Sequence, residues 1–320
     1  MSDFYQNGII TNLHNLRVQD TESLEKELLA FSKVRPMGLV LPSLYSELLS
    51  PALGNIVKEL KDVKYLHQIV IGLDRATKYE YRDALNYFSK LPQEHVVLWN
   101  DGPRLKALDK KLQKLKLAPQ EMGKGRNVWY CFGYLLAANQ VESVALHDCD
   151  IVTYTRDLLA RLIYPVANPN FNYQFCKGYY SRVSTNKING RVCRLLVTPL
   201  IRSLMKIFPA NDYLEYLNSY RYALSGEFSL RTEVLNDIRI PSDWGLEIGV
   251  LSEMNRNYAN NRICQVDIAD KYDHKHQELS EADASKGLSK MSIDISKSIF
   301  RKLATTGPVS YTHLRAHETS

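Results

Sequence analysis

Asp148 and Asp150 stand one residue apart in VALHDCDIVTY (144–154), directly after an apolar run and with only Cys149 between them. Two carboxylates that close repel one another unless water, a donor or a cation relieves them. In an extended stretch residues i and i+2 point the same way, so the pair can share one ligand. Carboxylate oxygens suit magnesium or manganese, and either ion can bridge the two phosphates of a nucleotide. GKGRNVW (123–129) offers a second piece of phosphate chemistry. Its two glycines flank Lys124 at a helix start, where backbone N–H groups and an ammonium can meet a phosphate. The spacing is not that of a Walker P-loop, and the K-[ST] pair is missing. YDHKHQ (272–277) sets His274 and His276 two apart, so one or both could ligate a metal. INGRVCRLLVTPL (188–200) puts a Gly-Arg turn before a helix, where Arg191 could fork onto a carboxylate or phosphate. In ALSGEFSLR (223–231) a glycine beside Glu227 lets the backbone approach a ligand closely, and DWGLEIGVL (243–251) holds a carboxylate near Trp244. Taken singly, each is an ordinary turn, cap or polar surface segment.

The elements that must position these residues are legible from periodicity. DTESLEKELLAFSK (20–33) predicts an amphipathic helix with an N-cap. MGLVLP (37–42) reads as a strand, and Ser50-Pro51 opens a helix over 50–61. Strands over 67–74, 95–101 and 143–148 alternate with helices over 79–90, 103–117 and 125–140. That alternation predicts a mainly parallel sheet flanked by helices, with ligands beyond the carboxyl ends of its strands. Asp74, Asn100, Asp101, Asp148 and Asp150 all fall at such ends. A lone strand-end aspartate is ordinarily a turn former; several on one edge suggest a site. After residue 151 the pattern changes: helices are expected over 155–166, 194–208 and 211–221, with a strand or hairpin over 172–183. One α/β domain with an elaborated C-terminal half fits this better than two independent domains. Residues 1–36 then form an N-terminal helical extension, 37–150 an α/β half ending in D-x-D, and 151–307 the second half of the same domain, truncated at its C-terminus.

Bulk properties narrow the classes. The chain has 320 residues, 45% of them hydrophobic and 24% charged, which suits a soluble globular protein. No run approaches the roughly 18 apolar residues of a membrane span, and the N-terminus lacks the layout of a secretion signal. Five scattered cysteines without CxxC spacing favour a reducing, cytoplasmic location and argue against zinc. The net charge of +6 is spread along the chain, and no nucleic-acid-binding module is present, so small anionic substrates suit it better than nucleic acid. PVSYTHLRAHETS (308–320) continues no hydrophobic period and resembles translated sequencing-adaptor DNA, so it is set aside as a non-native tail.

In their order and spacing, "LPSLYSE", "GKGRNVW", "HDCDIV", "GRVCRLLVTPL", "LSGEFSLR", "DWGLEIGVL" and the His274 segment resemble the glucosyl-3-phosphoglycerate synthases of glycosyltransferase family 81. The likeness covers roughly residues 35–300. It implies a Rossmann-like GT-A fold and a metal-dependent hexosyltransferase. Such an enzyme retains anomeric configuration while moving glucose from a nucleoside-diphosphate glucose to the 2-hydroxyl of 3-phosphoglycerate, with Mg2+ or Mn2+ as cofactor. Carried across, Pro42 and Ser43 shape the nucleobase loop, Glu47 contacts the base, and Asp74 lies near the base or ribose. Lys124 lies near the donor, and Asp148 meets its ribose or sugar. Asp150 and His274 bind the metal, Gly190 and Arg191 hold the phosphoglycerate, and Glu227 faces the sugar hydroxyls. Asp150 and Glu227 thus mark the catalytic centre without either being a general base, since a leaving phosphate oxygen can take the acceptor's proton in a front-face transfer. A homodimer is also implied. The sequence departs from the family at Tyr45 and Ser46, where P-A-L-N-E is common, at Cys193 in place of a threonine, and at Cys149 within D-x-D. A GT-A transferase of another sugar such as mannose, or to a lipid or polysaccharide acceptor, is the alternative. A decayed, non-catalytic nucleotide-sugar binder ranks third.

Overall fold

Strand β2 (Met37–Leu44) has its first five residues buried, although its side chains alternate in direction. Leu39 and Leu41 enter one apolar cluster and Val40 the other. β3 (Leu66–Asp74) repeats the division, with Ile69 and Ile71 on one side and Val70 on the opposite one. Strands covered by helices on both faces read as continuous apolar runs, and each fully buried Val, Leu or Ile contributes about 1.5–3 kcal/mol. The structure, a computed structural model, describes residues 8–14, 16, 20–119, 121–184, 187–273 and 287–305.

Local chemistry sets the helix starts. α1 (Thr21–Phe31) is capped by Asp20, which accepts from Ser23 N at 2.7 Å, and it buries Leu24 and Leu28. α2 (Pro51–Leu60) begins at Ser50 and Pro51 as expected, and α3 (Lys78–Phe88) begins with a Thr77/Glu80 capping box. There follow β4 (Glu94–Trp99), α4 (Pro103–Lys114), α5 (Lys124–Ala138) and β5 (Ser143–Leu146). The second half contains α6 (Arg156–Ala167), β6 (Phe175–Tyr180), the hairpin β7 (Val183–Ser184) and β8 (Lys187–Ile188), α7 (Thr198–Ile207) and α8 (Asp212–Asn218). It ends with β9 (Phe228–Arg231), α9 (Leu246–Asn257), β10 (Ile263–Ala269) and α10 (Gly287–Thr305). With β1 (Thr11–Leu13) at the edge, the main sheet runs β1-β10-β6-β9-β5-β2-β3-β4. Every neighbouring pair is parallel except those of β9, which is antiparallel to both β5 and β6. The N-terminal end of this reversed strand therefore lies at the same sheet edge as the C-terminal ends of the others.

Several expectations need correction. β5 stops at Leu146, so Asp148 and Asp150 lie in the turn beyond the strand and not on its pleat. The first 36 residues are not wholly helical, because Thr11–Leu13 pairs with β10. The strand expected within 172–183 is present as β6, all six of whose residues are buried because it is internal to the sheet and both of its faces are covered. The helix expected over 194–208 opens with a π turn at Cys193–Val197, and the one expected over 211–221 shortens to α8. No helix among the described residues is long and apolar enough to cross a membrane.

α5 is held tightly to β3: Asn127 Nδ2 donates to Gly72 O at 2.8 Å. A Cβ at Gly72 would collide with Asn127 Oδ1 and lie 2.6 Å from Cys131 Sγ. Gly72→Ala should therefore destabilise the fold by about 1–3 kcal/mol, the scale of overpacking a core, read as a lowered urea midpoint.

Candidate active site

The C-terminal ends of β2, β3 and β6, the turn after β5 and the loop before β9 enclose a cavity of about 1140 Å³. Lys124 sits at the first position of α5, after Gly123. Its Nζ lies 2.6 Å from Asp148 Oδ1 and 3.0 Å from Glu247 Oε1 on α9. Burial alone would lower this ammonium's pKa, but the charges of Asp148 and Glu247 outweigh burial and hold it above its ordinary value. Gly226 permits the clasp. A Cβ there would collide with Asp148 Oδ2 and stand 2.9 Å from Lys124 Nζ.

Asp150 faces the same cavity, half-buried. Burial first, then the charges of Asp148 and Glu47, push its carboxyl up to about 8. Hard oxygen donors crowded until one resists ionisation are a donor set that a divalent cation fits. Another trio, Glu121, Asp243 and Asp294, brings carboxylate oxygens within 4.8 Å of one another. There Lys290 Nζ already lies 3.3 Å from Glu121 and 3.0 Å from Asp294, and Asp243 Oδ1 accepts from Gly245 N. His274, the other expected metal ligand, lies outside the described residues.

Glu227 immediately precedes β9 and is fully buried, beneath the cavity and not on its wall. Its carboxylate accepts from Tyr272 OH at 2.7 Å, Tyr180 OH at 2.9 Å and Ser225 Oγ at 3.0 Å. Burial, then the charge of Asp148, raise its pKa against these donors and Lys124. Glu227, expected to face the donor sugar's hydroxyls, is thus held by three hydroxyl donors just beneath the cavity. Tyr180, Gly226 and Glu247 line the cavity there instead. The rings of Tyr180 and Tyr272 stack at 3.5 Å. Lys177, fully buried on β6, donates to Ser225 O at 2.6 Å, which fixes the loop leading into Glu227. Burial brings its ammonium down to about 8, against the charges of Glu247 and Glu227.

The other predicted residues divide by role. Pro42, Ser43, Glu47 and Asp74 line the cavity at the ends of β2 and β3. Glu47 Oε2 accepts from Leu44 N at 3.2 Å and Ser43 Oγ at 3.3 Å, bracing the loop. Asp74 accepts from Asn100 Nδ2 at 3.2 Å, and burial raises its pKa. Asn100 and Asp101 serve the turn: Asp101 accepts from Ala76 N at 3.0 Å. Gly190, at φ +77°, and the exposed Arg191 line the opposite side. Cys149 is 2% exposed and belongs to the core cluster under β2. Lys177, Tyr180 and Tyr272 carry no local signal in the sequence. Glu247 was visible as a carboxylate near Trp244, but nothing local pairs it with Lys124, 123 residues away.

No protein-family model matches the chain. A glucosyl-3-phosphoglycerate synthase from Persephonella marina is 50% identical over 307 residues, spanning 96% of this chain and 76% of that protein. Another from Methanococcoides burtonii is 41% identical over 303 residues, spanning 93% and 73%. The chain belongs to the glucosyl-3-phosphoglycerate synthase family. Within this family, the Mycobacterium tuberculosis enzyme solved with Mn2+, uridine-diphosphate-glucose and phosphoglyceric acid superposes with a TM-score of 0.66. It shares 21% identity, and the match covers 93% of this chain and 89% of that one. The fold is therefore that of the family, the GT-A fold expected from the sequence.

The Lys124 clasp makes a specific prediction. Gly226→Ala should lower kcat by about 10²-fold, the scale on which a displacement of about 1 Å near the reacting groups acts. Its effect on the urea midpoint should be far smaller than that of Gly72→Ala. Steady-state kinetics beside urea unfolding would check both parts.

Proposed function

We propose that this chain transfers glucose, with retention, from a nucleoside-diphosphate glucose to the 2-hydroxyl of 3-phosphoglycerate. The observation that carries the reading is the convergence of Lys124, Asp148, Asp150 and Glu247 on one cavity at the carboxyl edge of the sheet, in a chain half identical to a synthase of that name. Uridine-diphosphate-glucose, the donor in the Mycobacterium tuberculosis complex, is the first donor to test.

The chain's own groups suit the steps. Lys124 sits at the N-terminus of α5, where an ammonium and the helix dipole both favour the diphosphate. Asp148 and Glu247 hold that ammonium in one place, so little reorganisation is needed as charge moves onto the departing phosphate. Asp150, with His274 as the expected second ligand, would hold Mg2+ or Mn2+, which neutralises charge on the leaving diphosphate. Pro42, Ser43, Glu47 and Asp74 form the wall for the nucleoside. Gly190 and Arg191 face them from the acceptor side, placing a phosphate-bearing acceptor against the donor sugar. Glu227 acts from below: it fixes Tyr180 and Tyr272 and holds negative potential under the sugar without needing to accept a proton. In that division residues 37–150 bind the donor and 151–307 the acceptor. All five cysteines are buried thiols, which supports a cytoplasmic setting.

Incubating the chain with Mn2+, uridine-diphosphate-glucose and 3-phosphoglycerate should release uridine diphosphate only when all three are present. Asp150→Ala should reduce the rate by at least about 10²-fold. Release at the same rate without phosphoglycerate would retain a donor-cleaving site but reject this acceptor. The absence of release from the folded chain with any nucleoside-diphosphate hexose would reject the transferase.

A further inference from the structure

A second cavity, of about 650 Å³, opens beyond the Gly190–Arg191 turn and shares Tyr180, Arg182, Asn189, Gly190, Cys193 and Tyr222 with the first. Its outer wall is the solvent face of the helix that starts in the π turn and continues as α7. Arg194, Thr198, Arg202 and Lys206 recur there at four-residue spacing, and Arg221 closes the far side. Ile201 and Leu204 on the reverse face are buried, so packing fixes which way the basic face points. Arg202 and Lys206 are exposed, and neither has an ion-pair partner among the described residues. Like charges four apart on a helix oppose one another. No carboxylate is among the described residues lining this cavity; the acids of neighbouring α8, Asp212 and Glu215, do not reach it. At the junction of the two cavities, Arg182 donates to Tyr222 OH at 3.4 Å and lies over the Tyr222 and Tyr272 rings, and its buried Nε has no hydrogen-bond partner among the described residues.

We propose that this second cavity binds a phosphate monoester, through Arg202 and Lys206 on the helix and Arg182 at the junction. Three cations and two hydroxyls (Thr198 and Ser203) with no interleaved acid define that ligand class. The phosphate has two possible sources, the acceptor itself or a separate phosphorylated small molecule. Only the first rests on the transferase reading.

The test is calorimetric titration of inorganic phosphate into the full chain and into Arg202→Gln/Lys206→Gln. Both substituted side chains are exposed, so the variant should keep the unfolding midpoint of the parent. Phosphate should bind the parent and bind the variant at least about tenfold more weakly, as expected when two charge-assisted contacts are lost. If the KM for 3-phosphoglycerate rises in parallel while that for the donor does not, the occupant is the acceptor's phosphate. If the acceptor KM is unchanged, the site serves a separate phosphorylated ligand. Equal phosphate affinity in the two proteins, or no binding to the parent, overturns the proposal. A parent that binds phosphate but transfers no glucose would remove the transferase reading and leave the phosphate site standing.

Discussion

Carboxylates crowd around the turn after β5 at the carboxyl edge of this sheet, and the site is organised around holding them together. Asp148, Asp150, Glu247 and Glu47 gather around the cavity with Glu227 beneath it, and the half-buried Lys124 and the buried Lys177 stand among them. Each ammonium has a distinct role. Lys124 joins the turn after β5 to α9 through Asp148 and Glu247, while Lys177 pins the carbonyl of Ser225 so that Glu227 enters β9 in one conformation. Burial and the charges of Asp148 and Glu47 weigh most on Asp150, whose carboxyl is pushed up to about 8. A carboxylate cluster in a partly dehydrated cavity gains most from a divalent cation that arrives with a phosphate-bearing ligand. The proposed donor brings both.

The reversed strand β9 makes this possible. A wholly parallel sheet would bring only strand C-termini to the edge. Running β9 antiparallel between β5 and β6 delivers Ser225, Gly226 and Glu227 into the middle of it. Gly226 is the residue that has to approach closely, since any side chain would occupy the space of the Asp148 carboxylate. Fold and chemistry are joined there: the residue that lets β9 reach the site also lets Lys124 and Asp148 meet.

Much of the donor half was legible in the sequence because its signals are local. Ser50-Pro51 and Asp20 are caps that act within three residues, and strand–helix alternation from 37 to 146 dictates the parallel order. D-x-D and GKG marked Asp148, Asp150 and Lys124, although β5 ends too early for the strand argument that first joined the two aspartates. Less of the second half was legible, for physical reasons. β9 is four residues long and wholly enclosed in the sheet, so it shows no useful period. Lys177 reads as a surface lysine in FCKGYY; only the fold shows that it is enclosed and bonded to a carbonyl. Glu227 was marked by the glycine beside it, but its enclosure beneath the cavity was not, because Tyr180, Ser225 and Tyr272, distant or unremarkable in sequence, converge on it.

The most direct measurement is a crystal structure of the chain with Mn2+ and uridine-diphosphate-glucose, with the metal located by its anomalous signal. The account predicts a manganese peak on the Asp150 carboxylate, with the diphosphate between it and Lys124. A peak at Glu121, Asp243 and Asp294 instead, or a donor bound away from the Lys124–Asp148 clasp, would contradict it.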